Sequence, residues 1–141
     1  KLIGESRYNR TTVIRIRPGR LADYEEQLRT NKAARERSGS RTPVFVSQSA
    51  AGQQGTAFYI TQLAKSLGDW DGAPSLPSLL GPDGYRRYTA TTREAVLSTE
   101  TFINRYLPEL SNPAENVVSA APAFWRPKPA ATPKPKPATG Q

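Results

Sequence analysis

The side chains available for chemistry here are acids, amines, guanidiniums, phenols, hydroxyls and amides, because histidine, cysteine and methionine are absent from all 141 residues. Without imidazole no side chain titrates near neutral pH unperturbed, so Ser-His-Asp and Cys-His machinery is excluded. Zinc, copper, haem and iron–sulfur centres mostly need the missing ligands, so a metal site would have to be built from oxygen alone. Asp69-Trp70-Asp71-Gly72 opens as a calcium loop does, with carboxylates at alternate positions before a glycine. Ala73 and Pro74 follow where further oxygen ligands are needed. A capped turn with Trp70 in the core is therefore the expectation. No catalytic residue, metal site or cofactor is expected.

Binding residues are easier to nominate than catalytic ones. Arg7, Arg10, Arg15 and Arg17 crowd one short segment, with Arg20 after them. They read as a partner-binding, anion-seeking face or as the solvated face of a sheet. Arg126, Lys128, Lys134 and Lys136 stand among prolines and make a second cationic set on an extended strap. Tyr24, Phe45, Phe58, Tyr59 and Trp70 could line an apolar ligand cavity between helices and sheet. Its nearest acids, Asp23, Glu25 and Glu26, are explained by the dipole of a helix start. Tyr85-Arg86-Arg87-Tyr88 interleaves aromatic and basic residues as a nucleic-acid surface does, but Tyr85 and Tyr88 would share a helix face suited to packing on a sheet. Asn9-Arg10-Thr11 fits the N-glycosylation acceptor pattern, and Thr132 and Thr139 offer sites for O-linked sugar.

The net charge of +8 is unevenly distributed. Residues 1–41 carry eleven Lys/Arg against five Asp/Glu, residues 42–125 five against seven, and residues 126–141 four against none. Basic ends on a slightly acidic middle point to anionic partners: a protein's acidic face, an anionic surface or a polysaccharide, with nucleic acid disfavoured for want of a binding motif. No run of about 20 apolar residues is present. A start at Lys1, no cysteine to protect and a Pro/Ala/Lys tail together favour an exported protein, periplasmic, cell-surface or secreted.

The elements that must position these residues follow from periodicity. Residues 1–10 read as a basic arm. Thr12 to Arg17 alternate, with Thr12, Ile14 and Ile16 on one face of a half-buried strand and Val13, Arg15 and Arg17 on the other. Pro18-Gly19 breaks it, and Leu21, Tyr24, Leu28 and Ala34 fall at helical spacing up to about Ser38, with Gly39 as the cap. Residues 42–63 read as an antiparallel hairpin turning at Ala50–Gly55. Residues 64–84, rich in Gly and Pro, read as irregular. A second helix is expected over 85–107, ended by Pro108, and a short last strand at Val117-Val118 or Phe124-Trp125. Five prolines between Arg126 and Gln141 give a polyproline or disordered tail. The domain plan is an arm (1–10), an α+β domain (11–125) and a Pro/Lys-rich tail (126–141).

Strand, helix, hairpin, helix, strand is the ferredoxin-like split βαβ order. The phrases Val13-Ile14-Arg15-Ile16-Arg17-Pro18-Gly19 with Tyr24-Glu25-Glu26, and Phe58-Tyr59-Ile60 with Ser66-Leu67-Gly68-Asp69-Trp70, resemble the dimeric α+β barrel superfamily over about residues 10–125. The resemblance implies self-association through the sheet. It also implies a choice between a haem-dependent branch, which needs an axial histidine that this chain lacks, and a cofactor-free monooxygenase branch acting on aromatic polyketides. Three functions follow as expectations. The leading one is a non-enzymatic accessory subunit docking into an extracytoplasmic assembly through its sheet and cationic tail. The alternatives are a cofactor-free monooxygenase-like or small-ligand-binding dimer, and a polyanion binder.

Overall fold

The computed structural model describes residues 1–40, 42–52 and 54–127. The chain runs α1 (Leu2–Glu5), β1 (Tyr8–Ile16), α2 (Leu21–Arg37), β2 (Val44–Gln48), β3 (Ala57–Ala64), a 3-10 turn (Leu67–Trp70), α3 (Leu76–Ala95), β4 (Val96–Arg105), a second 3-10 turn (Pro108–Leu110), α4 (Glu115–Val118) and α5 (Pro122–Trp125). The strands form one antiparallel sheet in the order β2-β3-β1-β4. This is the ferredoxin-like α+β fold.

Alternation along β1 divides the sheet into two faces. Ile14 and Ile16 turn toward α2 and are buried with Tyr24, Phe58 and Ala95, and Leu21, Leu28, Ile60 and Val96 pack around them. The Tyr24 and Phe58 rings lie 5.4 Å apart in a tilted pair, which fixes α2 over the middle of the sheet. Helix α2 stops where the sequence places a glycine. Gly39 takes φ +66°, and the amides of Gly39 and Ser40 donate back to the carbonyls of Glu36 and Arg35, closing a Schellman turn.

Several expectations give way. The arm over 1–10 is a single helical turn followed by the first residues of β1, because Arg7 to Arg10 find ladder partners on β3 and β4. The second helix occupies 76–95 and not 85–107, so part of the stretch read as irregular is helical. Gly81, at φ +68°, and Pro82 break α3 without ending it. Beyond Ala95 the chain becomes β4. Val96 faces the core, a bulge at Leu97 resets the alternation, and Thr99 and Thr101 return to the same face. The spacing of Val96, Ile103 and Leu107, seven and then four residues, imitated a helix. Pro108 therefore follows a strand. Val117-Val118 and Phe124-Trp125 belong to short helices. These two helices dock on α1, and Trp125 Nε1 donates a buried 2.7 Å hydrogen bond to the Gly4 carbonyl. The prolines and lysines expected to form the tail lie outside the described residues from Lys128 onward.

Candidate functional site

A cavity of about 820 Å³ opens between α2, α3 and the helix-covered face of the sheet. Its floor is the inward row of the strands: Arg10, Thr12 and Ile14 of β1, Ile60 and Gln62 of β3, and Thr99 and Thr101 of β4. Tyr24, Leu28, Asn31 and Arg35 of α2 form one wall, and Leu76, Tyr88 and Thr92 of α3 the other. The cavity is open to solvent: Val46 of edge strand β2 is 49% exposed, and Thr99 and Thr101 of edge strand β4 and the outward residues Arg29, Lys32 and Glu36 are exposed too. Its size falls within the range of about 300–1,000 Å³ typical of small-molecule sites.

Two kinds of cation line this space. At the rim Arg29 pairs with Glu25 and Glu26 at 3.3 and 3.2 Å, and Lys32 with Glu36 at 3.7 Å. These are exposed pairs and nearly self-neutralising. Deeper, Arg10 is held by Gln62, whose Oε1 accepts from Nε at 3.0 Å and also from a terminal guanidinium nitrogen. The Arg10 guanidinium also lies 5.0 Å from the centre of the Trp70 ring. Arg35, half-buried, has no hydrogen bond or ion pair from its guanidinium among the described residues. Burial, and after it the charge of Arg10, draws Arg35 below the ordinary arginine range. The inner cavity is thus cationic without a counter-charge.

The one acid on the cavity wall is Glu36, exposed and occupied by Lys32. Tyr24 is buried, and desolvation, with Tyr88 adding to it, lifts its phenol far above the usual tyrosine range. It is a neutral hydroxyl at any physiological pH and serves poorly as a base. Among the described residues no cluster of three or more acids suits a metal ion.

The expected cavity aromatics do not converge. Tyr24 alone of the five lines the large cavity. Phe58 packs behind it in the core, and its neighbour Tyr59 must point to the opposite face of β3. Phe45, opposite Thr61 across the ladder, shares that opposite face. Trp70 lines a separate hollow of about 250 Å³. Its segment is the capped turn: Asp69 accepts from the Lys65 amide at 2.8 Å, the Ser66 amide at 3.2 Å and the Ser66 hydroxyl at 2.7 Å, bonds that hold its carboxyl below the usual range. Tyr88, read as sheet packing, reaches the cavity. Tyr85 stacks on it at 5.8 Å and stays 39% exposed.

The clustered arginines are likewise dispersed. Arg7 folds back to donate to the carbonyls of Glu5 and Ser6 at 2.9 and 3.2 Å, 3.8 Å above the Phe124 ring. Arg10 enters the cavity floor, Arg15 lies on the opposite face, and Arg17 is exposed beyond the strand. Arg126 pairs with Glu115 at 2.5 Å, and Lys128, Lys134 and Lys136 lie outside the described residues. Asn9, of the glycosylation pattern, accepts a 3.0 Å bond from Asn104. Sequence reasoning missed Arg35 altogether. Its signal was present, since Leu21, Tyr24, Leu28 and Arg35 share one side of a 3.6-residue period.

No protein-family model matches this chain, and no curated protein matches it. Solved structures do. The crystal structure of PA3566 from Pseudomonas aeruginosa is 15% identical, covering 72% of this chain and 95% of that one with a TM-score of 0.51. A NIPSNAP family protein of unknown function from Agrobacterium tumefaciens is 12% identical, covering 72% and 89% with a TM-score of 0.49. A Bacteroides thetaiotaomicron protein provisionally assigned as an antibiotic biosynthesis monooxygenase is 19% identical, covering 74% and 92% with a TM-score of 0.47. At these identities the likeness is one of fold.

Proposed function

We propose that this protein is a small-ligand-binding homodimer, with a site in each subunit between the helices and the sheet and with subunits paired through the opposite sheet face. The observation that carries the first half is the cavity of about 820 Å³, open to solvent and floored by the buried Ile14 and Gln62. A ligand seated there would gain dispersion contacts with the apolar part of the lining and displace water from it. Binding is favoured over turnover because the wall offers no free acid or base, only the occupied Glu36 and the strongly neutral Tyr24. It is favoured over attachment through cationic ends because Arg7 and Arg126 are engaged within the subunit and Arg10 faces the cavity.

Ile60→Trp, which places an indole into the void from the floor, tests the site. Binding of a neutral reporter such as pyrenebutanol, followed by fluorescence, should weaken about tenfold or more, a loss of about 1.4 kcal/mol or more. The circular dichroism spectrum should be unchanged. Undiminished affinity in a folded variant would remove the cavity as the site.

The second half rests on the uncovered sheet face. Phe45, Thr61, Thr11 and Phe102 form one row across it, with Val13 and Tyr59 in the next, and Phe45 and Phe102 are each 48% exposed. Aromatic residues at both edges of a flat face are suited to pairing with a second copy. Phe102→Glu should raise the dimer dissociation constant about tenfold or more in sedimentation equilibrium. A wild-type chain that stays monomeric at high concentration would defeat this half alone.

A further inference from the structure

We infer that the ligand is an apolar molecule bearing one carboxylate, its body lying along the floor of the large cavity and its carboxylate held by Arg35 beside Arg10. The inference rests on the cavity being a ligand site and adds the chemical class of what it takes.

Every Asp and Glu side chain of the sequence lies among the described residues, so an Asp or Glu serving these arginines would be visible. The ion pairs among the described residues go elsewhere, and none includes Arg10 or Arg35. Two like charges partly withdrawn from water, close enough for one to disfavour the other's charge, are an unfavourable arrangement when the cavity is empty. An anion between them removes both the repulsion and the missing counter-charge.

The donors still available select the anion. Arg10 already directs two of its nitrogens at Gln62 and is steadied over Trp70, so it supplies a fixed charge with limited further bonding. Arg35 keeps its whole planar fork, which grips two oxygens of an anion at once, and with Arg10 already engaged by Gln62 one free fork suits the single charge of a carboxylate better than the double charge of a phosphate. The remaining lining dictates the body. Ile14, Leu28, Ile60, Leu76 and Val96 offer apolar contact away from the two guanidiniums, and the phenol of Tyr24 offers a neutral polar point. The rim does not compete for the anion, because its cations are already paired.

The test compares two fluorescent probes with the same body, pyrenebutanoate and pyrenebutanol, on the full chain. Wild type should bind the carboxylate about tenfold or more tightly than the alcohol, as a charge-assisted contact in a partly desolvated site requires. Arg35→Met should erase that preference to within about twofold while leaving the alcohol's affinity unchanged, and the exposed Arg93→Met should leave the preference intact. The Arg35→Met protein without ligand should melt at the same temperature as wild type or higher, since a half-buried charge without a counter-charge is gone, and this separates lost recognition from lost folding. Equal binding of the two probes by wild type, or equal weakening of both in Arg35→Met, would overturn the inference and leave the cavity standing. Binding of neither probe would overturn both.

Discussion

Trp125→Ala should lower the stability of the folded chain by about 3–5 kcal/mol, among the largest effects expected of any single substitution here. The residue is 7% exposed and ties α5 to the N-terminal helical turn. Its indole nitrogen reaches the Gly4 carbonyl at 2.7 Å, its ring meets Tyr106 at 5.9 Å and Phe124 at 4.9 Å, and Phe124 in turn lies under Arg7. Truncation would remove a large apolar side chain and leave the Gly4 carbonyl with only a long 3.5 Å contact from the Arg7 guanidinium. Trp125→Phe separates the two terms. It should keep most of the packing and forfeit the hydrogen bond, costing about 1–3 kcal/mol. The approach is close enough to require glycine at position 4, where a Cβ would stand 2.3 Å from the Val117 carbonyl oxygen. Denaturant unfolding followed by tryptophan-independent circular dichroism measures these differences. A Trp125→Ala midpoint near that of wild type would mean that α4 and α5 do not hold the N-terminal turn.

Tyr24→Ala should cost a similar amount, about 3–5 kcal/mol, for a different reason. Tyr24 is 2% exposed and joins α2 to the sheet through Phe58 while forming part of the cavity wall. Its loss would extend the cavity into the core, where nothing stands ready to fill it. Tyr24→Phe should stay within about 1 kcal/mol of wild type, because the ring does the packing. The phenol has its own signature. Its pKa is raised in the folded state, so the stability it contributes is complete below the unfolded value of about 10 and declines as pH rises beyond it. An absorbance titration should show a phenol ionising far above the usual tyrosine range. That late step should vanish in Tyr24→Phe. A titration without it would show that the phenol is not desolvated.

The same residues show how far sequence reasoning reached. The alternation of Thr12, Ile14 and Ile16 and the helical spacing of Leu21, Tyr24 and Leu28 reported which sides face inward, since burial imposes its period directly on the residue types. The hairpin and the Gly39 cap were legible for the same local reasons. The fourth strand was not. A bulge at Leu97 interrupts the period of two, and the hydrogen bonds that make Val96–Arg105 a strand come from β1, some ninety positions away. No window of neighbours contains that information.

For the candidate site the division is sharper. Residue types alone excluded imidazole and thiol chemistry, and the basic excess pointed to anions; both follow from composition, independent of folding. Which cations matter is a tertiary matter. Along the chain Arg7, Arg10, Arg15 and Arg17 look like one set, and Arg35 looks like any solvated residue of a charged helix. In three dimensions strand alternation sends Arg10 and Arg15 to opposite faces, Arg7 turns back on its own carbonyls, and the approach of α2 to β1 brings Arg35 beside Arg10. Charge is a property of the residue, whereas the lack of a counter-charge is a property of everything around it. Composition rules out imidazole and thiol action here, and the packing of α2 on the sheet sets where cations stand without a counter-charge.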